Sequence, residues 1–246
     1  MSSVNNTYQH GGRLGNLFFV GMALHFIAVK NKLKVAYKYH DSFKKLGIKL
    51  FVGQNTYKET IQLLDTNFYN FIRSDELLDK NVSIVNNVWC QTEEFSFFLK
   101  NYFLEDINKI NIINNNIFKT RYNNNNDIFI HVRLGDISDT IWIHPFSYYD
   151  KALSGINFEN GYISSDSINH QICNQLITKY NLKIINYNEI ETIMFASTCN
   201  NIVLSSGSFS WMIGLFSYYS TVYYPKIYNK WHGNIFVFPE WNEISY

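Results

Sequence analysis

At 246 residues, 46% of them hydrophobic, the chain can bury a sizeable core, as one large domain or as two smaller ones. Its formal net charge is only +1, from 21 Lys and Arg against 20 Asp and Glu, which argues against nucleic acid as the main partner and leaves room only for a small, locally held phosphate. Cys90, Cys173 and Cys199 are odd in number and widely spaced, with no C-x-x-C pair, which argues against a disulfide framework or structural zinc and fits a reducing compartment. No apolar run approaches the length of a membrane span and no basic-then-apolar leader opens the chain, so a soluble, cytoplasmic protein without a transmembrane segment is expected. The aromatic residues (20 Phe, 18 Tyr, 5 Trp) are read mostly as core, because burying large rings is the commonest way to stabilise a domain.

Residues 1–9 are polar and only weakly strand-like. His10-Gly11-Gly12-Arg13-Leu14-Gly15-Asn16 is a glycine-rich turn opening the apolar stretch Leu17 to Val29, where Leu14, Phe18, Gly21, His25 and Ala28 share one helical stripe. Such a turn brings backbone N–H groups and a positive dipole end to an anion or sugar hydroxyl, or simply joins a strand to a helix. His25, on the packed stripe, reads as a core histidine. Leu33, Val35 and Tyr37 alternate with lysines in the period of a one-face strand. A helix is expected around Tyr57 to Leu64, a strand over Val82 to Val85, and a helix after Trp89 to Phe95, running to Leu104. The asparagine tracts Asn114 to Asn116 and Asn123 to Asn126 read as a solvated linker dividing residues 1–122 from 123–246.

The second half alternates strand and helix with short turns. Asp127-Ile128-Phe129-Ile130 is an apolar, β-branched run that ends in His131-Val132-Arg133-Leu134-Gly135-Asp136. Pro145 opens a helix through Leu153; Gly161 to Ser164 is a strand ending at Ser165-Asp166; Ile168 to Tyr180 is helical. Leu182 to Ile185 is a strand, Glu189 to Ala196 a helix, Asn201 to Leu204 a strand ending in Ser205-Ser206-Gly207-Ser208, Phe209 to Tyr218 a helix, and Thr221 to Tyr224 the last strand. This alternation predicts an α/β protein with parallel pairing and right-handed crossovers.

Arg133, Asp166 and the Ser205 to Ser208 turn each follow a strand, so all three belong at one edge of one parallel sheet, where such sheets hold ligands. Arg133 offers a planar fork of donors suited to phosphate, and Gly135 allows close backbone approach. Ser206 and Ser208 precede a helix whose N–H groups favour a phosphate, although taken singly each serine also fits a plain N-cap. An Arg-Asp pair merely closing a loop is the structural alternative for Arg133 and Asp136. The carboxylates of Asp136 and Asp139 are the nearby groups able to take a proton, Asp136 being preferred. His10, His25 and His40 are too far apart for one helix face, so no metal site is expected.

These residues carry a resemblance to the α-1,2-fucosyltransferase family, within the fucosyltransferase superfamily of glycosyltransferase-B fold. Gly11 to Asn16 resembles the family's G-G-x-G-N turn and the G-G-R-x-G-N of protein O-fucosyltransferases. Trp89-Cys90-Gln91-Thr92-Glu93 with Phe95 is similar to the aromatic-x-Q-S-E segment, His131 to Asp136 to the H-x-R-x-G-D signature, and Tyr148 to Ala152 to the Y-Y-x-x-A that follows it. Ser165-Asp166 and Ser208-Phe209-Ser210-Trp211 resemble the S-D and S/T-F-S-W turns. The resemblance implies two Rossmann-like halves facing a cleft, residues 1–122 on the acceptor side and 123–246 binding nucleotide sugar.

It also implies inverting transfer of a sugar, usually L-fucose from GDP-fucose, to a glycan hydroxyl, with no essential metal or other cofactor. Arg133 would then neutralise the β-phosphate, Asp166 contact ribose or guanine, Ser206 and Ser208 the diphosphate, and Asn16 the opposite cleft face. The expected site is Arg133, Asp136 and Asn16 as catalytic residues, with Gly12, Gly15, His131, Asp166, Ser206, Ser208, Phe209 and Ser210 binding substrate. The chain departs from the family at Leu134, where a second basic residue is usual, at Leu17 to Val20, which replace Q-L-F-Q, and at Ile163-Ser164. A different nucleotide sugar, or a non-catalytic module binding glycan or nucleotide, are the alternatives.

Overall fold

A computed structural model describes residues 6–7, 12–85, 87–137, 140, 142–227 and 233–246. The chain begins with β1 (Asn6–Thr7), α1 (Leu14–Asn31) and β2 (Val35–Ala36), β1 and β2 pairing in parallel. α2 (His40–Lys45), β3 (Thr60–Leu63), α3 (Phe68–Arg73) and β4 (Asn81–Ile84) follow, with β3 and β4 a second parallel pair and β1 lying beside β4. The segment from Tyr57 to Leu64, expected to be helical, is therefore extended. Tyr57, Ile61 and Leu64 fit helical spacing, but Ile61 and Leu63 fit period two, and pairing with β4 decides between them. Asn81 helps by imitating a neighbouring strand: its side chain accepts from the Tyr57 N–H at 3.0 Å and donates to the Tyr57 carbonyl at 2.6 Å.

α1 is apolar all round and lies in the interior, packed on α3 and on a helix of the second half described below. It is the one helix among the described residues long and apolar enough to cross a membrane, and 78% of it is buried inside the protein. A helix hydrophobic on every face has nowhere to go but a core or a lipid phase, and here the core takes it. His25, on α1, is buried as expected: its Nδ1 accepts from the Phe51 N–H at 2.9 Å, and burial lowers its pKa to about 4.

α4 (Glu93–Leu104) starts at Thr92, whose hydroxyl accepts from the Phe95 N–H, and α5 (Asp106–Asn115) leads into the asparagine tract. That tract is solvated only in part: Asn114, Asn115, Asn123 and Asn124 are exposed, whereas Asn116 and Asn125 are tied into the fold. Asn116 is only 2% exposed, and its side-chain amide donates to the Met194 carbonyl at 2.8 Å, Tyr122 at 2.9 Å and Ser197 at 3.2 Å. Asn125 donates to the carbonyls of Arg121 and Thr198. At Asn116 and Asn125, polarity that reads as solvation in one dimension is consumed by hydrogen bonds within the fold.

The second half builds the main sheet from β5 (Ile128–Val132), α6 (Phe146–Ser154), β6 (Gly161–Ser165), α7 (Gln171–Tyr180), β7 (Lys183–Ile184), α8 (Glu189–Ala196), β8 (Asn201–Val203), α9 (Ser208–Leu215), β9 (Thr221–Pro225) and β10 (Asn242–Ile244). The α/β class expected from the alternation is what the chain adopts. Strand order is β10-β9-β8-β5-β6-β7 and every pair is parallel. Counted from β5, this is the order of a doubly wound sheet, in which the direction of winding reverses between the first and fourth strands, here β5 and β8. Thr221 to Tyr224 is not the last strand: β10, polar and short, pairs with β9 and carries too little hydrophobic pattern to be read from sequence.

β5 is buried on both faces, as a central parallel strand must be. Ile128, Ile130 and Val132 pack with Tyr148, Leu153 and Leu176 of α6 and α7, whereas Phe129 joins the larger cluster formed by α1, α8 and α9. Within that cluster Phe19 of α1 meets Trp211 of α9 at 4.6 Å between ring centroids, so one hydrophobic core runs across the 122/123 boundary. The period of two along β5 sends His131, in the strand, and Arg133, just past its end, to the α9 side.

Candidate functional site

A cleft of about 240 Å³ opens where β5 and β8 part, walled by the C-terminal ends of β5 and β6 and the N-terminal turns of α1, α8 and α9. α1 and α9 pack side by side there, with their first turns in contact. A Cβ on Gly15 would lie 2.7 Å from Ser208 C and from its hydroxyl and closer still to the Phe209 N, so only glycine permits this approach. Asn16 ties the junction: its Oδ1 accepts from Ser208 Oγ at 2.5 Å and from Gln91 Nε2 at 2.9 Å. Neither α1, which starts after Arg13, nor α9, which starts after Gly207, has a side-chain cap, as is also so for α2, α3, α5 and α6. Two uncapped helix starts thus bring their N–H groups and positive dipole ends to one place, a setting suited to an anion.

Arg133 lines the same cleft and packs on the turn before α9. Gly207 has φ of 101°, a conformation that favours glycine, and a Cβ there would run into Arg133 Nη1. The guanidinium is one-quarter exposed, with Asp136 Oδ1 at 3.6 Å. Arg13, at the mouth, bridges two carboxylates, Asp136 at 2.6 Å and Asp166 at 3.4 Å. Asp166 also accepts from the Leu134 N–H at 2.8 Å, and Gly135 leaves room for it, because a Cβ there would lie 2.8 Å from Asp166 Cγ. His131 is buried in the floor; its Nδ1 shares a 2.6 Å hydrogen bond with Ser210 Oγ, and its ring lies 5.2 Å from Phe209. Desolvation lowers its pKa to about 4, with Asp166 opposing and Arg133 and Arg13 adding to the shift, so it is neutral near pH 7.

Of the residues expected from sequence, Gly15, Asn16, His131, Arg133, Asp166, Ser208 and Phe209 line the cleft. Gly12, Asp136, Ser206 and Ser210 do not. Ser210 is turned inward to His131, and Asp136 is exposed and held by Arg13, which makes it an ion-pair partner in this state. Asp139 and Gly11 lie outside the described residues. Arg13, Tyr187, Glu189 and Thr192 complete the wall and were not anticipated. Tyr187 and Glu189 also occupy a turn from strand to helix at the same sheet edge, so the reasoning applied to Arg133 and Ser208 reaches them once it is extended to β7. Among the described residues no group of three His, Cys, Asp or Glu side chains forms a metal site.

Fold and cleft together define a class: an α/β protein with a parallel sheet whose winding reverses beside an anion-suited cleft. No protein-family model and no curated protein matches the chain.

Proposed function

We propose that the chain is an inverting glycosyltransferase of the glycosyltransferase-B type, transferring L-fucose from GDP-fucose to a glycan hydroxyl without an essential metal or cofactor. The observation that carries this is the convergence of Arg133 with the uncapped starts of α1 and α9 on one cleft at the winding reversal. Departure of GDP builds negative charge on the β-phosphate while the sugar ring gains positive character. Donors fixed in advance on that phosphate stabilise the transition state more than the ground state. Arg133 and the first N–H groups of α9 supply such donors. Residues 1–122 contribute the facing wall through Gly15 and Asn16, as an acceptor-side half would.

One observation favours a non-catalytic nucleotide- or glycan-binding module instead: Asp136, the preferred general base, is engaged by Arg13. Turnover decides. The protein is incubated with GDP-fucose and a panel of other nucleotide sugars, with and without EDTA, and nucleotide release is followed. EDTA-resistant release from GDP-fucose is expected. Release only from another donor changes the sugar, EDTA-sensitive release overturns the metal-free mechanism, and absence of release from every donor leaves the binding module.

A further inference from the structure

The near-neutral total of the chain hides a segregation of charge. Residues 30–58 hold eight of its 21 Lys and Arg, all of them lysine, and one of its 20 Asp and Glu, Asp41. That segment is therefore formally +7, and the rest of the chain, with 13 Lys and Arg against 19 Asp and Glu, is −6. A molecule basic on one segment and acidic elsewhere is drawn to an anionic surface by one side only. We propose that residues 30–58 form the face by which this protein docks on a membrane containing anionic lipids.

The segment folds back on itself as one unit. At the end of α1 the chain turns through Lys32, at φ of 53°, into β2; α2 follows, and the chain then returns so that the N–H groups of Gly53, Gln54 and Asn55 bond the carbonyls of Leu33 and Lys32 at 2.9–3.0 Å. Lys30 is used internally, donating to the carbonyls of Phe71 and Ser74. The other seven lysines are exposed, and Lys32, Lys44, Lys45, Lys49 and Lys58 take part in no ion pair among the described residues. The last turn of α2 favours cations at Lys44 and Lys45, but Lys38 stands just before the start of that helix, where a cation is disfavoured. Such crowding of like charge costs stability, and an anionic surface relieves it.

Apolar side chains lie among the charges. Val29 is 47% exposed, Tyr39 40% and Val52 52%. Lysine stems carry their charge to lipid headgroups without demanding a fixed geometry, while a tyrosine and two valines can enter the interfacial layer. Nucleic acid fits this face less well. Its phosphates and bases are met by arginine forks and stacked rings, whereas the segment has no arginine and one exposed tyrosine. None of the eight lysines lines the cleft, so their charge can be changed without touching it.

The test is co-sedimentation of the intact protein with phosphatidylcholine vesicles and with phosphatidylcholine vesicles containing phosphatidylglycerol, at low and high salt. Binding to the anionic vesicles alone is expected, and it should weaken as salt rises. Each lysine near an anionic leaflet contributes about fivefold, so the triple variant Lys44→Gln, Lys45→Gln, Lys49→Gln should bind about 10- to 100-fold more weakly. These side chains are exposed, so the variant should melt with the parent. Val52→Ser should weaken binding at high salt as well as low, because its contribution is apolar. A second triple variant, Lys119→Gln, Lys151→Gln, Lys183→Gln, removes the same charge from the other half of the chain and should bind like the parent. Equal weakening by the two triple variants overturns the proposal, since net charge and not this face would then govern binding. Absence of binding to anionic vesicles also overturns it. Tighter binding of a single-stranded oligonucleotide than of vesicles, lost in the first triple variant, overturns it too and assigns the face to nucleic acid.

Discussion

Gly15→Ala isolates the junction of α1 and α9. The added Cβ would sit 2.7 Å from two atoms of Ser208, where ordinary contact begins at 3.4 Å, so α1 must lift from α9 by a sizeable fraction of an ångström. The close neighbours are mainly backbone and cannot rotate away. Overpacking of this kind costs about 1–3 kcal/mol, offset by up to about 1 kcal/mol because alanine favours a helix over glycine. A net loss of about 1–2 kcal/mol lowers Tm by about 2–8 °C in a protein of this size. Lifting α1 also breaks the 2.5 Å bond between Ser208 and Asn16 and separates the two helix starts, so GDP affinity should fall by about tenfold or more. Gly155→Ala is the control: it follows α6, nothing lies within 4 Å of its Cβ position, and it should be neutral or gain about 0.4–1 kcal/mol. Thermal denaturation by circular dichroism and calorimetric GDP titration read both effects. A Gly15→Ala protein at least as stable as its parent, with unchanged GDP affinity, refutes the close approach of the helices and their joint role.

Three further outcomes follow from the same geometry. Arg133→Ala should lower kcat for nucleotide release about 10²–10³-fold while the protein stays folded, and an unchanged kcat removes Arg133 from the phosphate. Asn116→Ala should cost about 2 kcal/mol in urea unfolding, because it leaves the Phe118 N–H and the Met194 carbonyl without the amide they bond; a truly solvated linker would lose nothing. His25, His131 and His144 are each held by burial at a pKa of about 4, against an ordinary 6.5. The unfolded chain therefore binds more protons between those values, so stability is full above pH 6.5 and falls as pH drops toward 4, and a flat urea midpoint across that window contradicts the burial of these imidazoles.

What sequence reveals and hides in this protein follows from where each signal comes from. The second half was legible because β5, β6 and β8 are apolar runs ended by polar turns, and a parallel sheet must place those turns at one edge; Arg133, Asp166 and Ser208 could be assembled without coordinates on that ground alone. The first half was less legible, because β3 is defined by its partner β4, and its residues satisfy the helical period as well. Partnership hid the fate of the asparagines too: Asn116 is fixed by Met194 and Ser197 from α8 and its end, residues far along the chain. Within the site, side chains that act by reaching across were the ones overlooked. In sequence Arg13 is part of a glycine turn, yet it connects α1 to Asp136 and Asp166 and brings a second guanidinium to the cleft. Leu134, next to Arg133, is fully buried in the cluster with Ile130, Tyr148 and Cys173, and the second guanidinium of the cleft enters from the start of α1. Phosphate affinity here should accordingly depend on the packing of α1 against α9 as much as on Arg133, since Arg13 reaches the cleft only while α1 stays seated.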